Sequence, residues 1–256
     1  ECADWFNSKY IILWGSNISQ TRIPDAHFAW EARYNGAKVV CISPDFNSSS
    51  IHADLYWQIN PGTDALLALG VAKILIDENL IDIPYVKEQT DMPFLVRKDT
   101  GRFLRQLDMK QGGKEDIFYL WDSKQNKEVI APGTMGIKDQ SIALNGIDPA
   151  LTGTFNVTLP DGKRAEVTTV FEKLKEKIAG YTHDTVSQRT GLPADEIQAF
   201  ARELGTRKPA MIIHGAGTNH WFHNDLLNRS FILLVALTGN VGKNGGGFNH
   251  YVGQEG

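Results

Sequence analysis

Short apolar runs in the first part of the chain are separated by a segment with helical spacing. Tyr10–Trp14 is apolar throughout, which predicts a buried strand ending at Gly15. Pro24 suits the first turn of a helix that continues over 26–34, and a second buried strand follows at 38–43. The order strand, helix, strand predicts parallel strands joined by a right-handed crossover.

The pattern beyond this unit predicts further helices and strands. We expect strands at 55–59, 154–159 and 164–169, the last two forming a hairpin, and helices at 65–76, 170–178, 184–189 and 194–204. The segment 92–153 is polar and weakly periodic, which predicts an irregular surface excursion.

A second unit of strand, glycine turn and helix is predicted near the end of the chain. An apolar run at 210–213 leads into Gly215 and Gly217, and Asn224 with Asp225 can cap an apolar helix over 226–237. The fold class is therefore α/β, with doubly wound, mostly parallel, Rossmann-like sheets in two packed subdomains and a small β-hairpin excursion. The expected domains are 1–170 and 171–256.

Composition narrows the class of protein. The 256 residues carry a net charge of -4, which leaves no basic surface typical of nucleic-acid binding. The apolar run at 231–237 is too short to insert into a membrane. Cys2 and Cys41 are far apart and lack zinc spacing, and Cys41 in an apolar run is expected to be buried. Both ends are interpreted as cuts in a longer polypeptide; a processed mature protein is the alternative.

The first glycine turn has features of an anion site. Gly15, Ser16 and Asn17 follow a strand, where backbone N–H groups and a helix N-terminus can hold phosphate. Asp45 follows the second strand, where a carboxylate can accept hydrogen bonds from ribose. Asp64 lies near the third strand end, where a carboxylate could accept two N–H bonds from a guanine edge.

Each of these residues also has a purely structural interpretation. Many strands end in glycine, and the complete GxGxxG pattern is absent around Gly15. Asp45 could cap a turn, and Asp64 could be a first-turn acid that faces the helix dipole. Both interpretations stay open at this level.

Histidines and glycines near the second turn add further candidates. His220 and His223 stand three residues apart and could share one face of a helical turn, but a pair without a third ligand favours a structural role over a metal site. His27 is expected to be a core histidine. Five glycines within 239–247 indicate backbone packed against something flat or bulky, or else a flexible loop.

Several runs resemble the catalytic subunit of the respiratory nitrate reductases. They are SKYIILWGSNISQTRIPDAH at 8–27, PGTDA at 61–65, QTDMPFLV at 89–96, and, most specifically, GAGTNHWFHND with TGNVGKNGGGFNHYVGQE within 215–255. Nitrite oxidoreductases and the chlorate and selenate reductases belong to the same branch of the molybdopterin (dimethyl sulfoxide reductase) family. The resemblance covers most of the chain and is weakest at 98–150.

The resemblance implies a molybdenum cofactor, bis(molybdopterin guanine dinucleotide), and an internal position for this chain in a longer subunit. By position it assigns Gly15, Ser16 and Asn17 to a diphosphate, Asp45 to the ribose, and Gly62 with Asp64 to the guanine. Residues near the pterin and the molybdenum would be Gly215, Gly217, Asn219, His220, His223 and Gln254, with His220 and Asn219 as the catalytic candidates. No molybdenum ligand matches within the chain, and Asp4 does not fit that position.

The resemblance also implies partners that lie outside this chain. A 4Fe-4S cluster would be held by upstream residues of the parent subunit, not by this segment. Electrons would come from a separate iron–sulfur subunit, and the substrate would be a small oxyanion such as nitrate, with the reverse reaction also open. The expected location is a membrane-associated complex on the cytoplasmic face, the outward face being the alternative. An autonomous nucleotide-binding module and a metal-free scaffold remain the competing interpretations.

Overall fold

A computed structural model describes residues 2–134 and 141–250 of the chain. The strands are β1 Tyr10–Trp14, β2 Lys38–Ser43, β3 Leu55–Gln58, β4 Leu95–Arg97, β5 Tyr119–Asp122, β6 Lys127–Ile130, β7 Thr154–Thr158, β8 Arg164–Thr169, β9 Ala210–His214 and β10 Gly247–Asn249. The α-helices are α1 Ile18–Thr21, α2 Ile23–Tyr34, α3 Asp64–Asp77, α4 Ile83–Gln89, α5 Gln106–Met109, α6 Val170–Ile178, α7 His183–Thr190, α8 Ala194–Thr206 and α9 Asn224–Leu237. Short 3-10 turns lie at Cys2–Asn7, Ser50–His52 and Ala216–Thr218.

Two compact units make up the chain. The first combines Glu1–Asp82 with Ile178–Gly256, and the second is Ile83–Lys177. The expected domains, 1–170 and 171–256, divide the chain at a different place. The reason is that β9 pairs directly with β1, so the end of the chain returns to the sheet built by its beginning.

A parallel five-stranded sheet forms the centre of the first unit. Its order is β10-β9-β1-β2-β3, and every pairing within it is parallel. The chain therefore builds outward from β1 in one direction and later returns to build in the other. The boundary between β1 and β9 is the point at which the order reverses, and doubly wound sheets bind ligands at such a point.

Helices cover both faces of this sheet, because β1 is apolar at every position. Ile11 and Leu13 pack on one face against the small residues of α2, whereas Tyr10 and Trp14 point to the other face. There Trp14 meets Phe231 of α9 with ring centroids 4.4 Å apart. The predicted doubly wound α/β class is thus confirmed, as is the burial of Cys41 in β2.

The second unit contains small antiparallel sheets. The predicted hairpin is present as β7 and β8, and β4 joins it in the order β4-β8-β7. The segment 92–153, predicted to be irregular, contains regular elements, because β4, α5 and the β5–β6 hairpin form there. Trp121 and Phe155 stack at 4.4 Å in a core of their own. Alternation in these short strands was too brief to be recognised.

Two local predictions were wrong. His27 is exposed and bonds to Glu31 on the surface of α2. Neither Asn224 nor Asp225 caps α9, because the N-cap is His223, which has a left-handed backbone with φ of 59°. The glycine run leads into β10, and a side chain at Gly245 would meet the backbone of Asn7 at 2.4 Å, which agrees with the expectation that this backbone is closely packed.

Within 2–134 and 141–250, no helix is long and apolar enough to cross a bilayer. The same residues contain no group of three or more His, Cys, Asp or Glu side chains placed to hold a metal ion.

Candidate functional site

A cavity of about 200 Å³ opens where β1, β2 and β3 end, next to the turn that follows β9. It is lined by Gly15, Ser16, Asn17, Ser43, Pro44, Asp45, Asn47, Ile59, Pro61, Gly62, Asp64, Gly217, Thr218 and Trp221. The carboxyl ends of parallel strands share one edge of a sheet, so loops distant in sequence converge there. Seven of the predicted site residues lie in this lining: Gly15, Ser16, Asn17, Asp45, Gly62, Asp64 and Gly217.

The two glycine turns are in direct contact at this edge. A side chain at Gly215 would place its first carbon 2.3 Å from the carbonyl oxygen of Gly15, and one at Gly217 would approach the same oxygen to 3.1 Å. Gly15 has a φ of 58°, and a carbon added there would lie 2.7 Å from Thr218. These glycines are therefore required by the packing of one turn on the other.

Asn17 ties the first turn to the loop after β2. Its side-chain oxygen accepts hydrogen bonds from Ser48 Oγ at 2.9 Å and Ser49 Oγ at 2.8 Å, and its amide donates to Gln20 Oε1 at 2.8 Å. The Asn17 side chain thus holds the loops in place. Ser16, which is buried but lines the cavity, supplies the hydroxyl group of this turn.

The helix that directly follows the first turn was not predicted, and it is very short. α1 spans four residues, and the predicted helix with Pro24 in its first turn is α2, which begins at Ile23. A dipole field from one short turn is weaker than that of a long helix, so less electrostatic support for a phosphate comes from this source than expected.

Asp45 belongs to a small polar cluster beyond β2. Ser43 Oγ donates to Asp45 Oδ1 at 2.8 Å, and Asn47 Nδ2 donates to Ser43 Oγ at 3.2 Å. The Asp45 carboxylate is exposed and lines the cavity. It is therefore oriented by the loop and still accessible to a ligand hydroxyl group.

Asp64 is a buried carboxylate at the first turn of α3. Only 6% of the residue is exposed, and its Oδ1 accepts a hydrogen bond from Trp14 Nε1 at 2.9 Å. Burial raises the pKa of this carboxyl, and the bond from Trp14 partly offsets the rise. A carboxylate has further lone pairs besides the one used by Trp14, so it can accept additional N–H donors from the cavity side.

Trp221 is a lining residue that the sequence did not single out. Its indole Nε1 donates to the carbonyl of Gly217 at 3.2 Å. A carbon added at Gly62 would lie 3.4 Å from the six-membered ring, so the ring rests against this glycine. The indole therefore connects the loop before α3 with the turn after β9. The only signal in the sequence was an aromatic residue four positions after Gly217, and this spacing does not belong to a known binding motif.

Beside the cavity, a partly buried polar network includes Asn219. The side chain of Asn219 bonds to His250 Nε2 at 3.3 Å and accepts from Asn228 Nδ2 at 2.9 Å. The ring of His250 stacks on that of His214 with centroids 5.1 Å apart, and Thr218 Oγ1 bonds to His214 Nε2.

His214 is the most strongly perturbed member of this network. It is fully buried, and its Nδ1 lacks a hydrogen-bond partner among the described residues, as does Oδ1 of Asn228. Burial, with a smaller contribution from the neighbouring His250, lowers the pKa of His214 to about 4. The imidazole is therefore neutral near pH 7.

The remaining predicted residues lie outside the first cavity. His220 is exposed in the turn before α9, and the His220–His223 pair does not occupy one helical face because this segment is a turn. His223 lines a second cavity of about 320 Å³, which also includes Phe222, Leu226 and Leu233. Gly215 is buried behind the first cavity, and Gln254 lies outside the described residues.

A doubly wound sheet with polar groups at its switch point defines a class of open α/β proteins that bind their ligands at this edge. Within that class, residues 1–254 match the model of the molybdopterin oxidoreductase family, and the chain belongs to this family.

Curated relatives agree with this assignment. The perchlorate reductase subunit alpha of Dechloromonas aromatica (strain RCB) is 52% identical over 99% of this chain and 30% of its own length. The respiratory nitrate reductase subunit alpha of Haloferax mediterranei is 43% identical over 100% of the chain and 27% of its own length. The chain thus spans less than a third of the length of these relatives.

A solved structure supports the fold. Acetylene hydratase from Pelobacter acetylenicus superposes with a TM-score of 0.56 at 17% identity, covering 93% of this chain and 24% of that one.

Proposed function

We propose that this chain binds a guanosine end of a molybdopterin guanine dinucleotide cofactor within the catalytic subunit of an oxyanion reductase. The single observation that carries the proposal is the cavity at the β1–β9 switch point, where Ser16, Asp45 and Asp64 converge. Family membership supplies the molybdenum cofactor, and this polar lining fits its nucleotide end.

The lining residues have complementary chemical roles. The Ser16 hydroxyl and the backbone of its turn can donate to a phosphate oxygen, whereas the exposed Asp45 carboxylate can accept from ribose hydroxyl groups. Asp64 can accept N–H donors from a guanine edge while it keeps its bond to Trp14. The donor side and the acceptor side of the cavity therefore match a nucleoside phosphate.

When bound, the molybdenum would supply oxygen-atom transfer between metal and oxyanion. The residues of this chain would bind the cofactor and orient the oxyanion. His220, exposed in the turn next to the cavity, is the candidate for hydrogen bonding to the oxyanion, and Asn219 is held by its network with His250 and Asn228. Unchanged turnover of the full-length His220→Ala variant would exclude that role.

The proposal includes three partners outside this chain. They are the neighbouring domains of the parent subunit, an upstream 4Fe-4S cluster and an iron–sulfur electron-transfer subunit. The multi-subunit naming of the relatives supports such partners. Association with a membrane, on its cytoplasmic or its outward face, would then come from other subunits.

The cofactor proposal is tested on the full-length polypeptide that carries this chain. Purified protein should contain molybdenum, or tungsten, and should release guanine nucleotide after acid hydrolysis. Asp64→Leu should lower both contents together, whereas Asp161→Asn, an exposed turn carboxylate of the second unit, should lower neither. Protein with neither metal nor guanine nucleotide would refute the proposal.

Perchlorate or chlorate is the second candidate substrate beside nitrate, because the 52% identical relative is named as a perchlorate reductase subunit. Steady-state turnover of the full-length enzyme with a reduced dye and each oxyanion separates the candidates. A kcat/KM for perchlorate or chlorate well above that for nitrate would reject the nitrate assignment.

An autonomous nucleotide-binding module is the remaining alternative. Saturable binding of a free guanine nucleotide or NAD by the 256-residue chain, together with a full-length protein free of metal, would favour it.

A further inference from the structure

The indole of Trp221 is fixed in position although nearly half of the residue is exposed. Its Nε1 is hydrogen-bonded to Gly217, and its six-membered ring rests on Gly62. Nevertheless 46% of the residue is exposed. Because two loops already restrain this side chain, it has little conformational freedom left to lose when it binds a ligand.

The position of this ring relative to the acceptor groups is the second observation. Trp221 lines the same cavity as Asp64 and Asp45, so a flat aromatic surface and two carboxylates share one space. An aromatic surface favours stacking with planar rings, whereas carboxylates accept hydrogen bonds from ring N–H groups and ribose hydroxyl groups. A purine nucleoside has both features.

Gly62 contributes to the same arrangement of the Trp221 ring. Its φ of 79° disfavours other residues, and an added carbon would contact the ring at 3.4 Å. A first carbon at this distance only touches the ring, but a longer side chain would compete with the indole for this space, so the glycine leaves room for the ring against the loop. Phe222, the next residue, is 90% exposed but does not line this cavity, which makes it a natural comparison.

We propose that Trp221 is the stacking residue for the nucleobase in this cavity and that the missing side chain at Gly62 leaves room for its ring. This inference rests on the proposed nucleotide site and assigns its base-binding wall. It makes Trp221 responsible for affinity toward the base and not toward the ribose phosphate.

Two small ligands separate these contributions. The full-length polypeptide is prepared without cofactor, and calorimetry measures the binding of GMP and of ribose 5-phosphate, which lacks the base. Trp221→Leu should weaken GMP binding by at least about fivefold, since stacking on an aromatic ring is worth about 1–3 kcal/mol per base. Ribose 5-phosphate binding should stay within about twofold, and Trp221→Phe should recover most of the GMP affinity.

Phe222→Leu is the matched control, because it removes an adjacent exposed aromatic ring that lies outside the cavity lining. It should leave both ligands unaffected. Equal GMP affinity in wild type and Trp221→Leu, or an equal loss for both ligands, would overturn the stacking role while leaving the nucleotide site standing. Wild-type protein that binds neither ligand would instead reject the site itself, and the stacking role with it.

Discussion

The buried histidine at the end of β9 predicts an acid-sensitive fold. His214 is fully buried against Phe231, Phe248 and the ring of His250, and its pKa falls from 6.5 to about 4. A histidine whose pKa is lowered on folding binds more protons in the unfolded chain. Its stabilising contribution is therefore complete above pH 6.5 and is lost as the pH falls toward 4.

The size of the effect follows from proton linkage. A shift from 6.5 to about 4 corresponds to about 3 kcal/mol when the pH falls below both values, and to about 2 kcal/mol between pH 7 and pH 5. The assay is urea unfolding of the 256-residue chain at both pH values, for wild type and for His214→Gln. Glutamine keeps a polar side chain of similar reach but does not titrate.

Wild type should lose about 2 kcal/mol more than His214→Gln between pH 7 and pH 5. His220→Gln, which replaces an exposed histidine of the neighbouring turn, should retain the wild-type loss. Equal losses for wild type and His214→Gln would show that His214 does not remain buried and neutral, and the reasoning would fail.

Two further substitutions test the packing of the site. Gly215→Ala should lower the free energy of unfolding by about 1–3 kcal/mol, because its new carbon would lie 2.3 Å from a backbone oxygen, whereas Gly180→Ala, with nothing within 4 Å, should not; equal urea midpoints would contradict this. Asp64→Leu should cost about 2 kcal/mol because the buried Trp14 N–H loses its acceptor, and Asp64→Asn, which keeps an oxygen, should cost clearly less in the same measurement. If Asn proved as damaging as Leu, the lost hydrogen bond would not be the cause.

Local patterns were sufficient for most elements of the first unit. β1 and β2 have the bounds predicted, and so does α6 in the second unit, because continuous apolar runs and helical spacing are read within a few neighbouring residues. Local patterns also placed the first glycine turn, Asp45 and Asp64 after strand ends. Parallel strands bring such residues to one edge of the sheet, and all of them line the same cavity. The resemblance, confirmed by the family match over residues 1–254, supplied the cofactor class.

Local sequence patterns could not identify residues whose role depends on contacts with distant parts of the chain. Trp221 becomes a cavity wall only because its ring reaches Gly62, and these residues are separated by most of the chain. The sequence placed His214 just after the predicted strand at 210–213, and its lowered pKa arises from burial, with α9 and β10 packed against its ring.

The sequence by itself determined the class of fold, the two glycine turns and the carboxylates at the strand ends, since each depends on a local run of residue types. Only the tertiary structure decided that the turns touch, that Asn17 holds loops together, and that Asp64 is bonded to Trp14. The physical reason is the order in which strands pair. β9 returns beside β1, and that pairing alone brings the end of the chain to the cavity formed by its beginning.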